Sequence, residues 1–213
     1  MPPEPTADCA FCPRLADFRS RNRRLYPDFH NAPVPSFGDF EARLLIVGLA
    51  PGLKGANRTG RPFTGDFAGD LLYPTLIELG LARGCYNAEP DDGLRLVGCR
   101  ITNAVRCVPP ENKPTSEEIR SCRDNFLAFE LESLPNLRGV LALGRVAHAS
   151  VLTARGLVRT RYSFAHGLTH TLPNGLALTD SYHCSRYNTS TRRLTPAMFV
   201  DAVRLAATQA GLV

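Results

Sequence analysis

Four short apolar runs, set between stretches with helical spacing, constrain this chain more than any other feature. They are Arg43–Val47, Arg95–Val105, Gly139–Leu143 and Leu176–Ser181. Near-continuous apolar character marks strands buried on both faces. A hairpin arm, Leu168–Leu172, turns at Pro173-Asn174-Gly175 and feeds the last run. Helical segments fall between them: Pro13–Arg24, Phe67–Leu81, Ser116–Leu134, Arg145–Arg155 and Pro196–Ala210. Ser116–Leu134 opens with a capping box, Thr115 as N-cap and Glu118 three residues into the helix. Pro196 follows Thr195, an N-cap residue, at a first helical position. Strands alternating with helices predict an α/β layered fold with a mostly parallel sheet. The 213 residues are enough for one domain, residues 1–213, with a substantial core, and no internal repeat interrupts them.

In open α/β sheets, ligands bind outside the carboxyl ends of the strands. The unusual residues of this chain fall there. After Val47 comes Gly48–Asp66, "GLAPGLKGANRTGRPFTGD", with five glycines and two prolines. It matches neither GxGxxG nor GxxxxGK[ST], so it is no standard phosphate cradle. The second run carries Thr102-Asn103 near its end, Gly144-Arg145 follows the third, and Tyr182-His183 follows the fourth. The pattern alone brings these residues to one face.

The seven cysteines argue against a disulfide framework, since nothing at the N-terminus resembles a secretory signal and the expected compartment is the cytoplasm. Cys9 and Cys12 form a CxxC, and Cys107 and Cys122 form a second pair with fourteen residues between them. Four cysteines suit a structural zinc ion or an iron–sulfur cluster, and unbound thiols are the third reading. Cys85, Cys99 and Cys184 read as small buried residues. No run of about 18 apolar residues exists, so no membrane span is expected. The net charge of +5 suits a polyanionic partner, and arginine supplies nearly all of it, with only Lys54 and Lys113 as lysines.

Four blocks carry a resemblance: "GLAPGLKGANRTGRPFTGD", "ITNAVRCVPPENKPTSEEIRSC", "LALGRVAH" and "SYHCSRYNTSTRRLT". In this order they resemble the iron–sulfur uracil-DNA glycosylases, specifically the B-type, family 5 branch, from Cys9 to about Pro196. The resemblance implies a three-layer α/β/α sandwich with a short parallel central sheet. It implies a [4Fe–4S] cluster on Cys9, Cys12, Cys107 and Cys122, with a structural role beside the DNA. It also implies excision of uracil, and of hypoxanthine, ethenocytosine and hydroxymethyluracil, from DNA. The expected protein is a monomer acting on DNA, double-stranded with single-stranded left open, and with no membrane partner. One departure stands out. Where related branches carry a water-activating Glu or Asp after the first motif glycine, this chain has Leu49 and Ala50.

The resemblance assigns residues as follows. Phe63 stacks on a flipped base; the residue type alone also allows core packing. Asn103 reads the base edge with an amide that both donates and accepts, or else bonds its own loop. Gly48, Leu49 and Ala50 bring backbone to the pocket. His183 lies beside the leaving base, where an imidazole N–H stabilises anionic charge. Tyr187 falls where relatives place a wedge that fills the vacated stack. Ser185, Asn188, Arg192 and Arg193 are placed to bond phosphates. Arg58 either organises the glycine-rich loop or touches DNA. Asp66 is the carboxylate left to orient water and offset charge at the sugar, yet it also stands as N-cap of the following helix. His30, His148, His166 and His170 have weaker claims. Two rivals to the glycosylase are an iron–sulfur DNA-binding or damage-sensing protein without turnover, and a nucleotide-binding α/β enzyme. The second lacks a Walker lysine and a Rossmann triplet.

Overall fold

The computed structural model describes residues 3–213. In chain order its helices are α1 (Pro13–Leu25), α2 (Ala56–Thr59), α3 (Phe67–Glu78), α4 (Ser116–Cys122), α5 (Ala128–Ser133), α6 (Arg145–Ala154), α7 (Arg186–Ser190) and α8 (Pro196–Gln209). Its strands are β1 (Phe37–Gly38), β2 (Leu44–Gly48), β3 (Ala82–Arg83), β4 (Arg95–Leu96), β5 (Cys99–Asn103), β6 (Gly139–Leu143), β7 (Thr169–Thr171) and β8 (Ala177–Ser181).

Six strands form the central sheet in the order β1-β5-β2-β6-β8-β7. The inner four are parallel, and β1 and β7 pair antiparallel at the two edges. Both faces are covered. Leu44, Ile46, Leu141 and Leu143 pack on one side against α3 and α8, through Leu72, Leu76, Phe199 and Val203. Leu45, Val47, Val140 and Ala142 pack on the other against α5 and α6, through Leu131, Val151 and Leu152. Alternate residues of each strand therefore serve opposite cores, which explains why the strands read as unbroken apolar runs. The architecture is the three-layer α/β/α sandwich. No helix among the described residues is long and apolar enough to cross a membrane.

The capping box at Thr115 is present, with Glu118 Oε2 accepting from Thr115 N at 2.7 Å. Thr195 caps α8 through Met198 N at 3.2 Å.

Several expectations are corrected. The run Arg95–Val105 is not one strand: β4 pairs with β3 in a separate ribbon, and β5 begins after Gly98, whose φ of +66° breaks the extended path. The stretch Ser116–Leu134 is not one regular helix. A π-helical turn at Arg123–Leu127 separates α4 from α5. Cys122 and Phe126 thereby face a small cluster with Leu15 and Val105, while Leu127 and Leu131 face the sheet. Cys99 and Cys184 are buried as expected, but Cys85 is exposed, in the loop after β3.

Candidate active site

The carboxyl ends of β2, β6 and β8 open into one cleft of about 720 Å³, bordered by Leu49, Ala50, Asp66, Leu143, Gly144 and His183. β5 ends beside β2, with Asn103 paired to Gly48. The sheet order explains the position. The chain leaves β2 for β5 on one side, then crosses to β6 on the other, so β2 is the switch point of the sheet.

Gly48 is the centre of the arrangement. A Cβ there would lie 2.3 Å from Asn103 Oδ1 and 2.5 Å from Phe63 Cζ, closer than any real contact. The Phe63 and His183 rings lie 5.9 Å apart between centroids, 29° from parallel. Asn103 Oδ1 and His183 Nδ1 are both buried and have no hydrogen-bond partner. Orphaned polar atoms of this kind cost about 1–3 kcal/mol each, which a ligand with matching groups would recover. The structure therefore brings together Gly48, Phe63, Asn103 and His183.

Phe63 is only 6% exposed, so packing and a stacking role coincide in one ring. Its φ of +52° is costly for a residue with a side chain. The neighbours hold it there. The Tyr73 hydroxyl donates to Pro62 O at 2.6 Å, and the Tyr86 hydroxyl to Phe63 O at 3.3 Å. Arg61 bonds Thr64 Oγ1 through Nε and grips Asp92 with both terminal nitrogens, all at 2.7 Å.

Asp66 both caps a helix and reaches the cleft. Oδ1 accepts from Gly69 N at 3.1 Å. Oδ2 lies against the turn at Gly55, where a Cβ would come within 2.5 Å of it. Burial pushes the Asp66 carboxyl above its ordinary range, against the backbone hydrogen bonds that pull it down. His183 has one edge on the cleft and Nδ1 enclosed, and burial pushes its pKa down to about 4. The ring is thus neutral at neutral pH, with one nitrogen donating and the other accepting.

The predicted DNA-facing residues divide. Tyr187 stands out from α7 at 72% exposure, and Ser185 lines the cleft. Asn188 turns inward, its Nδ2 donating to His183 O at 2.8 Å, so it positions the histidine. Arg58 organises the loop: it bonds Lys54 O at 3.2 Å and Ala88 O at 3.3 Å, and pairs with Glu89 at 3.1 Å. Arg192 is exposed with φ +57°, and Arg193 lies 4.5 Å over the Tyr182 ring. His148 clamps α6 to β8, bonding Asp180 at 2.8 Å and Tyr162 O at 3.0 Å.

Sequence reasoning missed Lys54, Phe67, Asn112 and Arg186 at the cleft. Arg186 stacks 5.3 Å over Phe67. Nothing in "SRYNTSTRR" separates Arg186 from Arg192 and Arg193 until the fold places Arg186 at the start of α7 and the other two in the turn beyond it.

The four cysteines of the two pairs line a second, apolar cavity, walled by Leu15, Val105 and Phe126. They surround a volume instead of converging on a point, and no three His, Cys, Asp or Glu side chains among the described residues are placed to hold one metal ion. Two N–H groups face the sulfurs: Arg19 Nη1 lies 3.6 Å from Cys107 Sγ, and Arg106 N lies 3.2 Å from Cys122 Sγ. Arg19 is 5% exposed, and its other bond is to Cys9 O at 2.8 Å. It pairs with no carboxylate among the described residues, so its charge is left facing the cavity. Burial pushes Cys107 up to about 11 and Cys122 to about 12 as bare thiols. A cationic group binding four thiolates would reverse that, and the resulting anionic assembly would balance Arg19. The donor set fits a four-thiolate cluster.

The two sites touch. Ala50 packs against the cysteine cluster, and Leu49 O accepts from Val105 N at 2.9 Å.

Residues 35–207 match the model of the family described as the uracil DNA glycosylase superfamily. A type-5 uracil-DNA glycosylase of Thermus thermophilus is 48% identical over 209 residues, 96% of this chain and 94% of the relative. One of Pyrobaculum aerophilum is 41% identical over 208 residues, 96% of this chain and 90% of the relative. A type-4 uracil-DNA glycosylase of Archaeoglobus fulgidus is 35% identical over only 136 residues, 63% of this chain and 59% of the relative. The matches to the type-5 proteins span 96% of this chain, and the chain belongs to the uracil DNA glycosylase superfamily, in its type-5 branch.

Proposed function

We propose that this protein is a DNA glycosylase that excises uracil from DNA by hydrolysing the N-glycosidic bond, leaving an abasic site for repair. The observation that carries this reading is the slot at Gly48, where the Phe63 ring, an orphaned amide oxygen and an orphaned imidazole nitrogen meet. It suits a planar ring with hydrogen-bonding edges. A base inside a duplex must be flipped out to reach it, at a cost of a few kcal/mol. Stacking on Phe63 returns about 1–3 kcal/mol.

Asn103 Oδ1 accepts from a ring N–H, and its Nδ2 donates to the neighbouring carbonyl. Uracil offers that pair, and so does hypoxanthine; cytosine and adenine do not. Hydroxymethyluracil keeps the same pair, and ethenocytosine, which has no such ring N–H, would be held by stacking on Phe63, which tolerates base identity. The neutral His183 donates to the base oxygen as negative charge develops there. Asp66 Oδ2, across the cleft, orients water and offsets positive charge at the sugar carbon. Leu49 and Ala50 bring no acid to that task, so Asp66 is the carboxylate available. Tyr187 fills the gap left in the stack, and Ser185, Arg186 and Arg192 hold the backbone.

Cys9, Cys12, Cys107 and Cys122 would hold a [4Fe–4S] cluster, whose contribution is structural: it ties the N-terminal segment to the backbone leaving β5 beside the cleft. No step of the hydrolysis passes through it.

The test is incubation of the protein with duplexes containing uracil, hypoxanthine or undamaged bases, followed by alkaline cleavage of abasic sites. Strand breaks only in the lesion-bearing duplexes support the reading. Tight binding without breaks would establish the non-catalytic DNA-binding alternative that the missing acid at Leu49 favours.

A further inference from the structure

A second groove, of about 790 Å³, runs between α4 and α6 and shares Arg145 and Val146 with the cleft. Four arginines line it: Arg120 from α4, Arg123 from the π-helical turn, Arg145 at the start of α6, and Arg159 just beyond α6. No carboxylate is among its lining residues. The nearest acidic partners are Glu117, 3.7 Å from Arg120, and Asp124, 2.7 Å from Arg123. Arg145 and Arg159 pair with no carboxylate among the described residues, and Arg159 is exposed. The wall carries a further feature. Ser150 is 2% exposed, lines the groove, and its Oγ has no hydrogen-bond partner. Helical Ser and Thr hydroxyls commonly bond back to the carbonyl four residues earlier. Thr153, one turn on, does this to Ala149 O at 2.8 Å, and Ser150 does not.

Cationic forks beside a spare hydroxyl match a row of phosphate oxygens. Continuity with the cleft through Arg145 says which phosphates. We propose that this groove is a second DNA-binding track, which carries the DNA backbone onward from the cleft and holds phosphates several nucleotides from the flipped base. The inference rests on the glycosylase reading above, and it extends the footprint without adding to the chemistry.

The test uses an Arg120→Ala/Arg159→Ala double variant and a Ser150→Ala variant, none of whose changes lies at the cleft. Each is titrated across a salt series against uracil-containing duplexes that end close to the lesion, or that extend well beyond it on one side or the other. Thermal melting and visible absorbance confirm that fold and cluster are intact. The expected result is unchanged excision and binding on the short duplex. On the duplex extended to the groove side, the double variant binds more weakly, and its log K against log salt slope is shallower by about 0.9 per arginine. Ser150→Ala weakens the same complex several-fold with no change of slope, because it removes no charge. Wild-type affinity and slope for the double variant on both extended duplexes would overturn the inference, as would an equal loss on the short one. Stronger binding of poly-glutamate than of the extended duplex would also overturn it, in favour of an acidic protein partner. If the wild-type protein excises no uracil from any duplex, the glycosylase reading fails, while the salt slopes still report separately on the groove.

Discussion

Phe63 and His183 face each other across the end of β2, 5.9 Å between ring centroids and 29° from parallel. They come from loops 120 positions apart in sequence. Each is held from behind: Phe63 by tyrosine hydroxyls on its own and the preceding carbonyl, His183 by the Asn188 amide on its carbonyl. The slot they frame is therefore formed before any base arrives, which lowers the cost of ordering it on binding.

Gly48 tests the slot directly. A Gly48→Ala methyl would fall 2.3 Å from Asn103 Oδ1 and 2.5 Å from Phe63 Cζ, forcing the two apart. A displacement of about 1 Å at a reacting centre can cost 10²-fold in rate. The expected outcome is a loss of that order in single-turnover uracil excision, with the protein still folded by circular dichroism.

Asp66 predicts a pH profile. Its carboxyl is raised by burial, so activity that needs the carboxylate falls on the acid side at a pH above the ordinary aspartate range. The stability effect has the opposite sense: a raised acid loses stabilisation as pH rises through its folded pKa. Asp66→Asn keeps the N-cap, since Asn caps about as well as Asp. The variant should melt at or above the wild-type temperature at neutral pH. Its excision rate should drop by about 10²–10⁴-fold and lose the acidic limb. Near-normal turnover would leave Asp66 as a helix cap alone.

The Arg61–Asp92 pair sets the loop that carries Phe63. The side chains are 5% and 1% exposed, and Arg61 holds the Asp92 carboxyl well below its usual range. Arg61→Ala leaves a buried carboxylate unpaired, for an expected loss of about 3–5 kcal/mol in urea unfolding. The depressed acid stabilises the wild type above its unfolded pKa, near 3.8, and that contribution disappears as pH falls. The variant should lack this part of the acid-side decline.

The cysteine cavity predicts a coloured protein. Cys107→Ser should lose the broad visible absorbance and iron content expected of cluster thiolates. Arg19→Leu keeps all four ligands but removes the buried charge beside Cys107. It should load iron yet lose it faster to a chelator than the wild type. A colourless, iron-free wild type purified without oxygen would remove the cluster assignment.

Tyr187, at 72% exposure, has little to do in the fold. Tyr187→Ala should leave the melting temperature unchanged. It should slow excision from duplex DNA several-fold while sparing single-stranded substrate, where no stack needs filling. Equal slowing on both would move Tyr187 from wedge to general contact.

Much of the framework was legible because it is local. The inner strands and the caps at Thr115 and Thr195 follow from runs and spacings within a few residues. The breaks at Gly98 and at Arg123–Leu127 were not legible. A glycine inside an apolar run does not announce its φ, and a π-helical turn differs from an α-helix only in how the next residues must face. Asp66 illustrates the limit at the site. Its place before a helix predicted the cap, but only the fold shows that its second oxygen turns toward Gly55 and the cleft.

The sequence by itself determined which residues end the strands, and hence that Gly48, Asn103, Gly144 and His183 lie at one edge of the sheet. Tertiary structure alone decided which of them face one another. Asn188 reads as a phosphate ligand by type and Arg58 as either a loop organiser or a DNA contact, yet Asn188 holds His183 and Arg58 holds its own loop through Lys54, Ala88 and Glu89. The orphaned atoms of Asn103, His183 and Ser150 belong to the same category. A polar group lacks a partner only with respect to everything packed around it, and that is settled when the layers close.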